Sequence, residues 1–139
     1  MEQTEIISLT LPAHYRYLKL IGESIELLLA GLPNQPERKE LIYGIKLAVH
    51  EIANNVIQHA YGNEQGTIEV TLHVDLVAKC FIATVHDTGV TFQGEVTTPS
   101  LDEPQESGYG LFLATALMDE VNYQRQPDGN HWHLQKTFT

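Results

Sequence analysis

Glu51-Ile52-Ala53-Asn54-Asn55-Val56-Ile57-Gln58-His59 sets acid, amide and imidazole groups at helical spacing inside a stretch that otherwise reads as core. On a 3.6-residue period Glu51, Asn55 and His59 fall at i, i+4 and i+8 along one edge of a helix. Leu41, Ile45, Ala48, Val49, Ile52 and Val56 occupy the neighbouring face, the apolar stripe that anchors such a helix to a core. The polar row therefore borders the core. A carboxylate and a carboxamide one turn apart suit a hydrated Mg²⁺, which takes few protein oxygens and keeps waters and phosphate oxygens. A polar helix flank is also the ordinary form of a solvated surface, so the row alone leaves both readings open.

Working outward, Pro36-Glu37 opens this helix with proline at its first position and an acid in its first turn, and Gly62-Asn63 follows its end near Tyr61. Before it, Ile6 to Leu11 predicts a short strand. A first helix is expected from Pro12 or Ala13, with Tyr17, Leu20, Ile21, Ile25, Leu28 and Leu29 at helical spacing up to Gly31-Leu32-Pro33. After it, Ile68, Val70, Leu72 and Val74 alternate with Glu69, Thr71, His73 and Asp75, and a second strand is expected at about Lys79 to His86, so the two predict an antiparallel hairpin. Asp87-Thr88-Gly89 ends that strand. Gln93 to Glu106 is polar, with Gly94, Pro99 and Pro104, and reads as a lid or binding loop. Ser107-Gly108-Tyr109-Gly110 leads into a helix of Leu111, Ala114, Thr115, Leu117, Met118 and Val121. Tyr123 to Arg125 and His131 to Phe138 predict two closing strands around a turn at Pro127-Asp128-Gly129-Asn130.

The chain has 139 residues, the size of one domain, and no apolar run near the roughly 20 residues that span a bilayer. No basic segment followed by an apolar stretch marks the first ten residues as a secretory signal, so a cytoplasmic protein with no membrane partner is expected. Eighteen acidic against eight basic residues give a formal charge of −10, which argues against direct nucleic-acid binding. The single cysteine, Cys80, excludes an intrachain disulfide and a cysteine-based zinc site, and it reads as a buried small hydrophobe.

Two further elements carry chemistry. Gly108-Tyr109-Gly110 at a loop-to-helix junction lets backbone approach a ligand and turns free helix amides toward an anion, although two glycines there also make a plain turn. Asp87 followed by Gly89 can accept from an exocyclic amine beside a flat ring, or can simply make a reverse turn. His131-Trp132-His133 sets two rings on one face of a strand with no third ligand in sight, which favours a surface or packing role over a metal site. His50-Glu51 begins like a zinc-protease helix motif, but Asn54 stands where the second histidine is required.

The order Glu-x-x-x-Asn on a helix, hairpin, Asp-x-Gly, polar loop and Gly-x-Gly opening a helix resembles the N, G1 and G2 boxes of the GHKL (Bergerat-fold) ATPases and kinases. The stretch Ala48 to Tyr61, AVHEIANNVIQHAY, resembles in particular the anti-sigma-factor serine kinases of the HATPase_c_2 group, and the likeness covers nearly the whole chain. It implies an α+β fold, a two-layer sandwich of a mixed, mainly antiparallel sheet with helices on one face. It also implies that residues 1–139 form one ATP-binding domain with a lid at about 93–107. By that resemblance Glu51 matches the catalytic base, Asn55 the Mg²⁺ ligand and Asp87 the adenine-recognising carboxylate. Gly89, Gly108 and Gly110 match nucleotide-contacting glycines; Tyr109 is counted with them, and Asn54 and His59 take supporting roles. The implied activity is transfer of the γ-phosphoryl group of ATP to a serine or threonine of a STAS-domain antagonist protein, with sequestration of a sigma factor as the regulated output. A homodimer is compatible with it.

The chain departs from the family pattern in three places. Thr91 replaces the second glycine of the G1 box, which restricts backbone approach. No Lys or Arg stands between Lys79 and Arg125, while Glu95, Asp102, Glu103 and Glu106 make the lid acidic. The final strand carries His131-Trp132-His133 where small or hydroxyl residues are common. Phosphate charge then falls to Mg²⁺, backbone amides and the helix dipole unless a basic group arrives from elsewhere in the fold or from a partner. The alternative reading is a nucleotide-gated binding module that sequesters a regulator with little or no catalysis. A third is an interaction domain without nucleotide. No helical pair with a phosphoacceptor histidine precedes Glu51, which disfavours a histidine-kinase fragment. The first helix and the face around Arg16 are candidate docking surfaces for a partner.

Overall fold

The computed structural model describes residues 4–62, 64–92 and 109–139, and for Tyr109 the backbone alone. Its elements run β1 (Thr4–Pro12), a 3₁₀ turn (Tyr15–Tyr17), α1 (Leu18–Leu29), α2 (Pro36–His59), β2 (Thr67–Asp75), β3 (Cys80–Asp87), α3 (Tyr109–Leu117), β4 (Glu120–Gln126) and β5 (Gly129–Thr137). Five strands form one sheet in the order β1-β2-β3-β5-β4. Every pairing among the described residues is antiparallel, so the mixed sheet implied by the resemblance is here antiparallel throughout.

One face of this sheet is apolar because the strand period of two sends Ile68, Val70, Leu72 and Val74 to the same side. The register sets Val70 opposite Val85, Leu72 opposite Ala83 and Val74 opposite Phe81, then Val85 opposite Trp132 and Ala83 opposite Leu134. These residues are buried beneath Ile21, Ile25, Leu28 and Leu29 of α1 and Ile45, Val49, Ile52 and Val56 of α2. The stripe read from the sequence is thus the one that seats α2, and helices on one face of a sheet is the observed architecture.

Three boundaries differ from expectation. The first helix begins at Leu18, not at Pro12 or Ala13, because β1 continues through Pro12, paired with Thr67, and the Ala13 N–H donates to the Gly66 carbonyl at 2.9 Å. Proline is tolerated there because β1 is an edge strand. The third helix ends at Leu117, and Val121 lies in β4 opposite Leu134. Asp119 makes that break: its N–H donates to the Gln135 carbonyl, and its Oδ2 accepts from the Thr137 N–H at 2.7 Å and hydroxyl at 2.8 Å. The last hairpin turns on two residues, Pro127 and Asp128, so β5 starts at Gly129. Cys80, expected inside, is half-buried at the start of β3, and burial pushes its thiol pKa up.

The Thr137 N–H and hydroxyl, helped by Lys136, hold the Asp119 carboxyl below the usual carboxylate range. A depressed carboxylate stabilises the fold above its unfolded pKa of about 3.9 and loses that contribution as pH falls through the lower folded value. Asp119→Asn is therefore expected to be less stable than the parent at neutral pH. The gap between the two should close below about pH 4 in urea melts across a pH series.

Candidate functional site

Asp87 ends β3 with its side chain on the buried face, in register with Asn130 of β5, and both residues are 2% exposed. A carboxylate is costly to bury unless it is hydrogen-bonded. Asp87 Oδ1 accepts from the Gly89 N–H at 2.9 Å and from Asn130 Nδ2 at 2.8 Å. Among the described residues nothing donates to its second oxygen. Asn130 Nδ2 also donates to the Val90 carbonyl at 2.8 Å, and Asn130 Oδ1 accepts from the Tyr123 hydroxyl and from Arg125 Nη1. One carboxamide thus binds the strand end, the turn after it and two side chains of β4.

The turn is also fixed to the end of α2. The Val90 N–H donates to the Ala60 carbonyl at 2.6 Å, and the Tyr61 hydroxyl accepts from the Thr88 N–H at 3.0 Å while donating to the Thr67 carbonyl at 2.5 Å. Gly89 lies so close to Ala60 that a Cβ there would overlap its carbonyl oxygen. The backbone of residues 87–90 therefore runs directly against the helix that carries Glu51, Asn54 and Asn55. All three of these side chains are half-buried on α2, whereas His59 is exposed.

The opposite rim is formed by α3. Packed against α2, it brings Gly110 onto Glu51, where a Cβ would overlap Glu51 Oε2. The Glu51 carboxylate and Gly110 are thus in contact, and Tyr109 is the first residue of α3. Gly108 and the expected lid at about 93–107 lie outside the described residues.

The description "Histidine kinase-like ATPase domain" belongs to the family model that matches residues 12–136 of this chain. The chain belongs to this family. Among its curated relatives is the serine-protein kinase RsbW of Bacillus cereus (strain ATCC 10987 / NRS 248), 30% identical over 131 residues, covering 87% of this chain and 78% of the relative. The RsbW of Bacillus mycoides (strain KBAB4) is 31% identical over 134 residues with the same coverage. A crystal structure of the RsbU and RsbW domains of Rv1364c from Mycobacterium tuberculosis superposes with a TM-score of 0.67 over 96% of this chain at 20% identity, which speaks for the fold. This chain spans 32% of that longer one.

Within this histidine kinase-like ATPase domain, three supporting residues escaped the sequence reading: Tyr123, Arg125 and Asn130. Only the pairing of β3 with β5 and of β5 with β4 puts them at Asp87. Arg125 is a basic group that folding brings to this turn, where its Nη1 donates to the Gly89 carbonyl at 2.8 Å. The sequence held one signal for the turn, Asp128-Gly129. Gly129 has φ +132°, and a Cβ there would overlap the Asp87 carbonyl oxygen. A separate groove, lined by Asn34, Arg38, Lys39 and Tyr43 among others, lies between α1 and the start of α2 and shares no residue with this site.

Asn130→Ala removes a donor from a buried carboxylate and leaves the Tyr123 hydroxyl without its acceptor. It is expected to cost about 1–3 kcal/mol in urea unfolding. Combined with Tyr123→Phe, the loss should be less than the sum of the two single losses, because the residues share one network.

Proposed function

We propose that this domain is a protein serine/threonine kinase of the anti-sigma type. It transfers the γ-phosphoryl group of ATP to a hydroxyl of a STAS-domain antagonist protein and holds a sigma factor or similar regulator when that antagonist is phosphorylated. The observation that carries the reading is Glu51 against Gly110: a half-buried carboxylate on a packed helix, facing the glycine that opens α3. Two relatives named serine-protein kinase support it.

The residues fit the substrate. The Asp87 oxygen that no described residue donates to is available to the amine of adenine, and the contact of Gly89 with Ala60 holds the turn that carries it. Arg125 adds positive charge beside that turn. Tyr109 and Gly110 offer backbone amides at the start of α3 to the phosphates. Glu51 accepts the proton of the attacking serine or threonine hydroxyl. The oxygen of that serine or threonine forms the new bond to the γ-phosphorus, the bond to the β-phosphate oxygen breaks, and ADP leaves.

The donor set also fits a hard cation. Glu51 and Asn55 offer half-buried oxygens one helical turn apart, with Asn54 beside them. Asn55 would hold the Mg²⁺, which when bound offsets charge on the phosphates. Among the described residues no helix is long and apolar enough to cross a membrane. The binding-module reading is less supported, since it gives the Glu51 carboxylate no task.

Incubation with labelled ATP and a serine-bearing STAS-domain protein checks the assignment. The parent protein should transfer label; Glu51→Ala should bind ATP within a few-fold of the parent yet lose transfer by at least about 10²-fold. Asn55→Ala should lose Mg²⁺-dependent ATP binding in calorimetry. Tight Mg-ATP binding with no transfer to any STAS-domain protein of the same genome would instead favour the binding module. Gly110→Ala gives an independent check. The flexible Glu51 side chain can yield to the new methyl, so the melting temperature should stay close to the parent's while transfer falls.

A further inference from the structure

The face of the sheet turned away from the helices carries a histidine cluster that the nucleotide site does not use. His86 of β3 and His131 of β5 are directly opposed in register, one rung beyond Asp87 and Asn130, and their rings stack with centroids 4.4 Å apart and planes at 22°. Both present Nε2 to the Pro127-Asp128 turn. His131 Nε2 is 2.8 Å from Asp128 Oδ1, and His86 Nε2 is 3.8 Å from Asp128 Oδ2 and 3.1 Å from the Asp128 carbonyl oxygen. His86 Nδ1 is 3.0 Å from Glu69 Oε2 on β2.

The geometry points to a binding site for one borderline divalent transition ion of the zinc class, held by His86 Nε2, His131 Nε2 and the Asp128 carboxylate on the outer face of the sheet. The three ligand atoms lie within 4.8 Å of one another. Zn²⁺ bonds to imidazole nitrogen and carboxylate oxygen at about 2.0–2.2 Å, so small rotations of Asp128, which sits on an exposed turn, close the set around an ion. The acceptor on the far side of His86 is what such a ligand needs. A ligating imidazole gives its other N–H to a carboxylate, which fixes the tautomer and the ring, and Glu69 is in that place.

Three protein ligands leave a fourth position for water. Two imidazoles select against Mg²⁺, which prefers oxygen, so this site is chemically distinct from the Glu51–Asn55 pair. His133, the other member of His-x-His, pairs with Thr84 and Asn122 and is no part of the cluster. The motif supplies one ligand, His131, and folding adds two: Asp128 comes from the adjacent turn and His86 from the neighbouring strand β3. An ion here ties β3, β5 and the last hairpin together at the rung next to Asp87 and Asn130.

The test uses the full chain without an affinity tag, stripped by chelator and free of nucleotide, titrated with Zn²⁺ in calorimetry and with Co²⁺ in visible absorption. The expected result is one ion per chain, with Co²⁺ showing the intense ligand-field bands of low coordination number. His86→Ala and His131→Ala should each weaken Zn²⁺ binding by more than about 10-fold, Glu69→Gln by about 10-fold, and His133→Ala not at all. Asp128→Asn, on an exposed turn, should also weaken binding, and it carries the test if either histidine variant melts early. Absence of stoichiometric Zn²⁺ binding, binding unchanged in the His86 and His131 variants, or equal weakening by His133→Ala would overturn the site.

Discussion

The buried rung between Asp87 and Asn130 is the constraint on which the site depends. A carboxylate at 2% exposure at the end of a strand stays there only if its desolvation is offset by donors, and Asn130 together with the Gly89 amide provides them. The same carboxamide takes hold of the Val90 carbonyl, so the chain leaving β3 cannot swing away from the sheet. That places Gly89 and Val90 on Ala60 at the end of α2, and the helix with the Glu51 row is thereby set at a defined height relative to the Asp87 carboxylate. Register between β3 and β5 comes before the chemistry.

Close backbone approach completes the arrangement. At Gly89, Gly110 and Gly129 a β-carbon would run into, respectively, the Ala60 carbonyl, the Glu51 carboxylate and the Asp87 carbonyl. Two of these obstacles are backbone and unyielding. The third is the tip of a flexible acid, which explains why the same residue type has different tolerances at the three positions. Only Gly129 among the three also needs a positive φ. Thr91, in the place of a further glycine, lies beyond this tight stretch and is exposed.

Charge is handled in the same economical manner on both faces of the sheet. On the inner face Arg125 brings its guanidinium from β4 to the Gly89 carbonyl and to Asn130. On the outer face, one residue along each strand, His86 and His131 stack between Glu69 and Asp128. Alternation along β3 and β5 separates two chemically different clusters by a single residue, because successive side chains point to opposite sides of a sheet.

Local pattern was enough to determine the elements of this protein and to bring out its candidate site residues. The stripe Ile45, Ala48, Val49, Ile52 and Val56 defines α2, the alternation Ile68 to Val74 defines β2, and Glu51, Asn55, Asp87 and Gly110 stand in a recognisable order; all of these signals are periodic or short-range. The element ends were less legible. Whether the chain stays extended past Pro12 depends on Gly66, and whether α3 stops at Leu117 depends on Gln135 and Thr137, all distant in sequence. Tertiary structure alone decided that Asn130, Tyr123 and Arg125 support Asp87, that Gly110 meets Glu51, and that His131 finds Asp128 and His86 rather than His133. Those contacts follow from strand register and helix packing. Both are set by burial of the whole apolar face, which no local stretch of residues encodes.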